Sequence, residues 1–254
     1  MKLPVLFVGH GSPMNAVEDN EFTNKWKALG RSLPRPKVIL AVSAHWYTAS
    51  TRTSDTREPR MIYDMYGFPK ELYDLKYPVE GSPELAGKIS DLLKEGVITD
   101  NRWGIDHGTW SVLCRMYPDA DIPVVQLSID FNSAPEAHFE IGKKLSQLRK
   151  EGVFIIGSGN VVHNLSLINW GMSGGFDWAH EFDDYVKQNI LNRNFEAVVN
   201  YGMAGKCAEK AFYTPDHFYP LLYVLGAVDK EDDIEVFNDS CIMGSMSMTG
   251  YLFG

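Results

Sequence analysis

Four short apolar runs, at residues 4–8, 38–42, 123–129 and 153–156, constrain this chain most. Each is largely apolar at consecutive positions rather than at alternate ones. Strands covered on both faces read this way, and such strands belong to parallel sheets flanked by helices. Amphipathic segments lie between them. In 135–150, His138, Ile141, Leu145 and Leu148 recur at helical spacing, with Ser133 as the expected N-cap and Gly152 as the stop. Residues 177–192 carry a stripe of Trp178, Phe182 and Tyr185, and 84–94 is a third helix. Strands alternating with helices imply a single α/β domain over 1–254. It has a mostly parallel central sheet, helices on both faces and right-handed crossovers. Residues 234–237 and 241–248 are expected to add antiparallel edge strands. Residues 47–81 have little periodicity and read as a long excursion over one sheet edge, a place where function tends to gather.

Composition narrows the field. At 254 residues, 44% hydrophobic and 22% charged, the chain can bury a substantial core. A net charge of −9 without a Lys/Arg cluster argues against nucleic acid as a partner. Cys114, Cys207 and Cys241 are scattered, forming neither a disulfide framework nor a metal knuckle, which fits a reducing cytoplasm. The N-terminal apolar run leads straight into Gly9-His10-Gly11-Ser12 with no cleavage site, so it is not read as a signal segment. No stretch approaches the roughly 18 apolar residues of a bilayer span.

The histidines carry the chemistry. His10 follows the first apolar run, His45 the second, and His163 the run that ends in Gly157-Ser158-Gly159. In a parallel sheet the strand C-termini share one edge, where open α/β folds place their ligands. One such histidine is ordinarily a hydrogen-bonded structural residue; three at equivalent places point to a metal held by converging imidazoles. His217, in Thr214-Pro215-Asp216-His217, lies either in the first turn of an apolar helix or, because Pro220 resists the helix interior, in the loop before it. His107, in Ile105-Asp106-His107-Gly108, sits in a glycine-flanked turn before another helix, where a structural role and a site role are equally open. His138 shares the apolar stripe of its helix and reads as a satisfied boundary residue, and His180 as solvated. Gly157-Ser158-Gly159 lacks both the spacing of a nucleophile elbow and the third glycine of a dinucleotide fingerprint.

Gly9-His10-Gly11-Ser12-Pro13, Ser43-Ala44-His45-Trp46, Gly104-Ile105-Asp106-His107-Gly108, Gly159-Asn160-Val161-Val162-His163-Asn164 and Thr214-Pro215-Asp216-His217 occur in this order. Together they resemble the class III extradiol ring-cleavage dioxygenases, and within them the DOPA 4,5-dioxygenase branch, over nearly the whole chain. The resemblance implies an α/β fold and one divalent metal ion, Fe(II) for opening a catechol ring with O₂, or Zn(II) as bound in bacterial members. It places His10 and His45 as metal ligands. His163 becomes the acid/base beside the metal, or a ligand itself, and His107 a substrate-side histidine. Where the wider class has a glutamate ligand, this chain offers His217 with Asp216 beside it. The expected ligand set is therefore His10, His45, His217 and His163, and imidazole suits zinc as well as iron. Trp46, Trp110 and Tyr219 are candidates for an aromatic pocket wall, and Arg52, Arg57 or Arg60 for a contact to the substrate's side chain. The alternatives are a zinc hydrolase and a non-catalytic metal- or catechol-binding protein on the same scaffold.

Overall fold

The computed structural model describes residues 2–254. Its strands are β1 (Val5–Gly9), β2 (Val38–Thr48), β3 (Arg52–Thr53), β4 (Ile98–Thr99), β5 (Val124–Asp130), β6 (Val153–Gly159), β7 (Ile234–Phe237), β8 (Cys241–Ile242), β9 (Met246–Ser247) and β10 (Gly250–Phe253). The α-helices are α1 (Glu21–Ser32), α2 (Lys70–Asp74), α3 (Pro83–Leu93), α4 (His107–Met116), α5 (Pro135–Leu145), α6 (Asp177–Leu191), α7 (Phe195–Val199), α8 (Ala208–Ala211) and α9 (Tyr219–Gly226). Eight strands form one sheet in the order β4-β3-β5-β2-β6-β1-β10-β7. The four long central strands β5, β2, β6 and β1 are mutually parallel, and β3, β10 and β7 attach antiparallel.

The unbroken apolar runs have the expected cause. Val5, Phe7, Leu40, Val42, Val125 and Leu127 pack on one face of the sheet with Leu85, Ile89, Leu145, Phe182 and Leu222 from α3, α5, α6 and α9. Their neighbours Leu6, Val8, Ile39, Ala41 and Val124 pack on the other with Trp26 and Leu29 of α1 and Trp110 and Leu113 of α4. Successive strand residues thus enter opposite cores.

Several expectations shift. Ser133 does not cap α5: its hydroxyl donates to Asp130, and Ala134 is the cap residue. That helix tightens into a 3₁₀ turn, Ser146–Glu151, before Gly152 closes it at φ 90°. Residues 241–248 do not join the main sheet; β8 and β9 pair with each other. The strand that does lie between β1 and β7 is β10, which was not expected although it is as long as β7. The 47–81 excursion begins with the last two residues of β2, contributes β3 to the sheet and holds the short α2, and is otherwise irregular. Among the described residues no helix is long and apolar enough to cross a membrane.

A buried ion pair locks the chain's start to its C-terminal part. Arg149 is fully buried and donates to the carbonyls of Leu3 and Ala227 and, through two nitrogens, to Asp232, itself 1% exposed. Removing one partner strands a buried charge, which costs about 3–5 kcal/mol. We expect Asp232→Ala to lower stability by that order in urea unfolding.

Candidate metal centre

The parallel ladders bring the histidines together. β1 and β6 pair from Val5↔Ile155 to Gly9↔Gly159, and the next residue, His10, donates its backbone N–H to Gly159 at 3.0 Å. On the other side of β6, β2 pairs up to Ser43↔Ser158. Beyond Val42, β2 departs from register with β5: Val42 faces Leu127 and Tyr47 faces Ile129, so five steps along β2 match two along β5. The surplus residues bulge and re-aim a side chain. His45 rides on this bulge, inside an extended β2 rather than after its end as the sequence suggested.

The remaining histidines come from turns. His217 lies in the turn before α9, the second of the two placements considered. A Cβ at Gly159 would stand 2.0 Å from the His217 carbonyl oxygen, so only glycine lets this turn approach β6. The Asn160 N–H donates to that same carbonyl. His163 is fixed by its backbone N–H to Ala211. His107 is the first residue of α4, capped by the buried Asp106, which accepts from Thr109 N–H, the Ser43 hydroxyl and Gln126.

Five imidazoles meet at this edge. The rings of His10, His45 and His217 are 5.1–5.2 Å apart centre to centre. His107 lies 3.9 Å from His45, and His163 stacks on His217 at 3.5 Å with planes 6° apart. The outer nitrogens are anchored. His10 Nδ1 is 3.0 Å from Ser158 Oγ, whose own proton goes to the Gly108 carbonyl, so Nδ1 of His10 is the donor. His217 Nδ1 donates to Asp216 at 2.6 Å. His45 Nδ1 and His107 Nδ1 lie 3.0 Å from Oδ2 and Oδ1 of Asp64.

Protons on Nδ1 leave Nε2 with a bare lone pair, and the Nε2 atoms of His10 and His45 face each other at 3.3 Å. Such a contact is repulsive unless a cation lies between. One nitrogen from each of His10, His45 and His217 falls within 4.8 Å of the others. A second group, His45, Asp64 and His107, meets the same distance criterion. There the carboxylate is already engaged by two rings and by the His107 backbone N–H. The trio of histidines, with donors left over, fits a divalent ion better.

Protonation agrees. Burial, reinforced by the neighbouring imidazoles, holds His10 and His217 well below the usual histidine range. Burial takes His163 down to about 4 against the pull of Asp216, and lowers His107 with help from His45. Burial works against His45 too, but Asp64, Asp106 and Asp216 outweigh it and raise its pKa. Neutral imidazole is the form that binds a metal.

A cavity of about 270 Å³ opens over the cluster, walled by Met65, Tyr66, Phe68, Trp170, Met243 and Met246, with no Lys or Arg among its lining residues. The aromatics proposed from sequence lie elsewhere. Trp46 stacks on Trp103, Trp110 is buried with its N–H on the Ile62 carbonyl, and Tyr219 packs on His138. Arg52 pairs with Asp100, Arg60 with the Arg102 carbonyl, and neither they nor Arg57 reach the cavity. His138 is fully buried on Tyr223, deeper than the boundary place expected and with its Nε2 unpartnered, while His180 is exposed, as read. Asp64 is the site residue that sequence reasoning missed. It lies in the aperiodic excursion, and its one clue was that excursion's length.

The family described as the catalytic LigB subunit of aromatic ring-opening dioxygenase matches residues 4–254. The chain belongs to the LigB family. It is thus an extradiol ring-cleavage dioxygenase, from a family whose members use a metal ion. A 4,5-DOPA dioxygenase extradiol of Escherichia coli (strain K12) is 46% identical, covering 100% of this chain and 95% of that protein. A protein of the same description from Beta vulgaris is 38% identical over 97% of this chain and 95% of its own. The crystal structure of an uncharacterized Escherichia coli K12 protein matches with a TM-score of 0.87 at 44% identity, covering 100% of both chains. Membership in the LigB family favours ring cleavage over the hydrolase and binding-protein alternatives.

In this LigB-family site, an added methyl at Gly159 must push the His217 turn off β6. Overpacking of this kind costs about 1–3 kcal/mol. We expect Gly159→Ala to lower the melting temperature and to weaken Zn(II) uptake, measured by titration against a chromogenic chelator.

Proposed function

We propose that His10, His45 and His217 hold one divalent ion, Fe(II) in the working enzyme, and that the protein opens a catechol such as DOPA at its 4,5 bond with O₂. The observation that carries this reading is three unpaired imidazole nitrogens facing one another beneath an aromatic-walled cavity. When bound, iron supplies Lewis acidity toward the catechol oxygens and the redox chemistry that O₂ requires. Zinc in the same place would have no redox chemistry.

The chain's own residues handle protons and position. His163, stacked beside His217 and neutral at pH 7, takes a proton from a catechol hydroxyl. Its depressed pKa makes the resulting imidazolium a ready donor when the proton is needed again. His107 has its Nδ1 directed at Asp64, so its free Nε2 accepts a hydrogen bond from a substrate hydroxyl. Met65 and Phe68 form the sheltered part of the wall, and the exposed Tyr66 and Trp170 offer faces to an aromatic ring. Three separate free cysteines accord with a cytoplasmic setting.

The test is anaerobic purification, Fe(II) loading and oxygen-electrode assays with L-DOPA and simpler catechols. We expect stoichiometric O₂ uptake with a catechol; none with any catechol, beside tight zinc retention, overturns the reading. His45→Ala should lose the metal, measured by elemental analysis. His163→Ala should keep it while turnover falls about 10²–10⁴-fold, the usual contribution of a positioned acid/base.

A further inference from the structure

We infer that Asp64 is a positioning residue that ties the metal ligand His45 to the substrate-side His107 through one carboxylate; this rests on the metal reading above. Asp64 arrives on a strap anchored by its backbone. Met61 forms a parallel bridge to Ile105, Ile62 N–H donates to the Ile105 carbonyl, and the Ile62 carbonyl accepts from Trp110 Nε1. So held, the side chain is only 15% exposed, and each oxygen meets a different imidazole. Oδ2 lies 3.0 Å from His45 Nδ1 and Oδ1 lies 3.0 Å from His107 Nδ1. Oδ1 also accepts the backbone N–H of His107, the first residue of α4, where the helix end favours an anion.

Two consequences follow from a carboxylate in this place. It accepts and cannot donate, so at 3.0 Å, though without hydrogen-bond alignment, it favours the Nδ1-protonated form of both rings and leaves both Nε2 atoms for the cavity. It also restores charge. With His217 where the wider class has a glutamate, three imidazoles bring no negative charge to a divalent ion. Asp64 behind His45 and Asp216 behind His217 return it at one remove, the arrangement in which a carboxylate raises the basicity of a ligating imidazole. Asp216 touches one ring of the cluster. Asp64 touches two rings of different duty, so ion binding and substrate handling are coupled through it. The same strap carries Met65, Tyr66 and Phe68 into the cavity wall, and Asp64 seats that wall against the centre.

Asp64→Asn keeps the shape but offers one acceptor oxygen in place of two. We expect it to bind Co(II) and Zn(II) stoichiometrically with affinity about 10–100-fold weaker, the usual effect of losing such a partner. The visible spectrum of the Co(II) form should shift, and in the iron-loaded protein KM for catechol should rise along with the fall in kcat. Ser158→Ala, which frees the His10 ring and the Gly108 carbonyl but leaves the Asp64 contacts in place, should weaken metal binding with a smaller rise in KM than Asp64→Asn. Asp64→Ala should follow the Asn variant in every readout, with circular dichroism confirming the fold. An Asn variant with wild-type metal affinity, spectrum and KM overturns the inference, because the residue then merely fills space. Complete loss of metal also overturns it, by making Asp64 a ligand. A wild-type protein that holds neither Co(II) nor Zn(II) overturns the metal reading itself, and this inference with it.

Discussion

The parallel pairing of β6 with β1 on one side and β2 on the other is the constraint on which the site depends. The ladder with β1 runs to Gly9↔Gly159 and the ladder with β2 to Ser43↔Ser158, so both ladders on β6 end within a residue of one another. Evenly spaced parallel hydrogen bonds fix that alignment, and a slip of one residue would send every side chain to the wrong core. His10, Ser158 and the approach to His45 are thereby set before any side chain of the site makes a contact. The two hydrophobic cores above and below the sheet supply the energy that holds the register.

Packing five imidazoles into one buried pocket is unfavourable by itself, since burial disfavours their charge and their lone pairs repel. The structure offsets this from the outside inwards. Ser158 and Asp216 take the Nδ1 protons of His10 and His217, and the Asp64 carboxylate lies within ion-pair distance of His45 and His107. What remains inside is a set of acceptor nitrogens with nothing to accept from, a state that a divalent ion satisfies. Asp106, gathering Ser43, Thr109 and Gln126, keeps the start of α4 at its post, and Gly108 admits it: a Cβ there would meet Ser43 Oγ at 2.7 Å and His45 Cδ2 at 2.8 Å.

Strand order of burial was legible because consecutive apolar residues can satisfy both faces of a sheet only when both are covered. The positions of His10 and His163 after such runs followed from that. The pocket wall was not legible. Trp46 and Trp110 are near the motifs in sequence, yet their large rings are absorbed by the cores, while Met65, Tyr66, Phe68 and Trp170 come from segments without periodicity. The bulge in β2 escaped notice for a similar reason. It is a mismatch between two strands, and one strand's sequence does not contain its partner's register.

Local sequence determined the parts: which segments are buried on two faces, where glycines permit close backbone approach, and which histidines stand at strand ends or capped turns. These are properties of a residue and its near neighbours. Only the tertiary structure decided which nitrogen of each imidazole points inward, that His217 closes the trio while His163 stacks behind it, and that Asp64 bridges two rings. Those outcomes depend on partners brought together by the fold, as His10 and Ser158 are across 148 residues, and on the angle at which an irregular strap crosses the sheet edge. No periodicity encodes such an angle; the packing of the whole fold sets it.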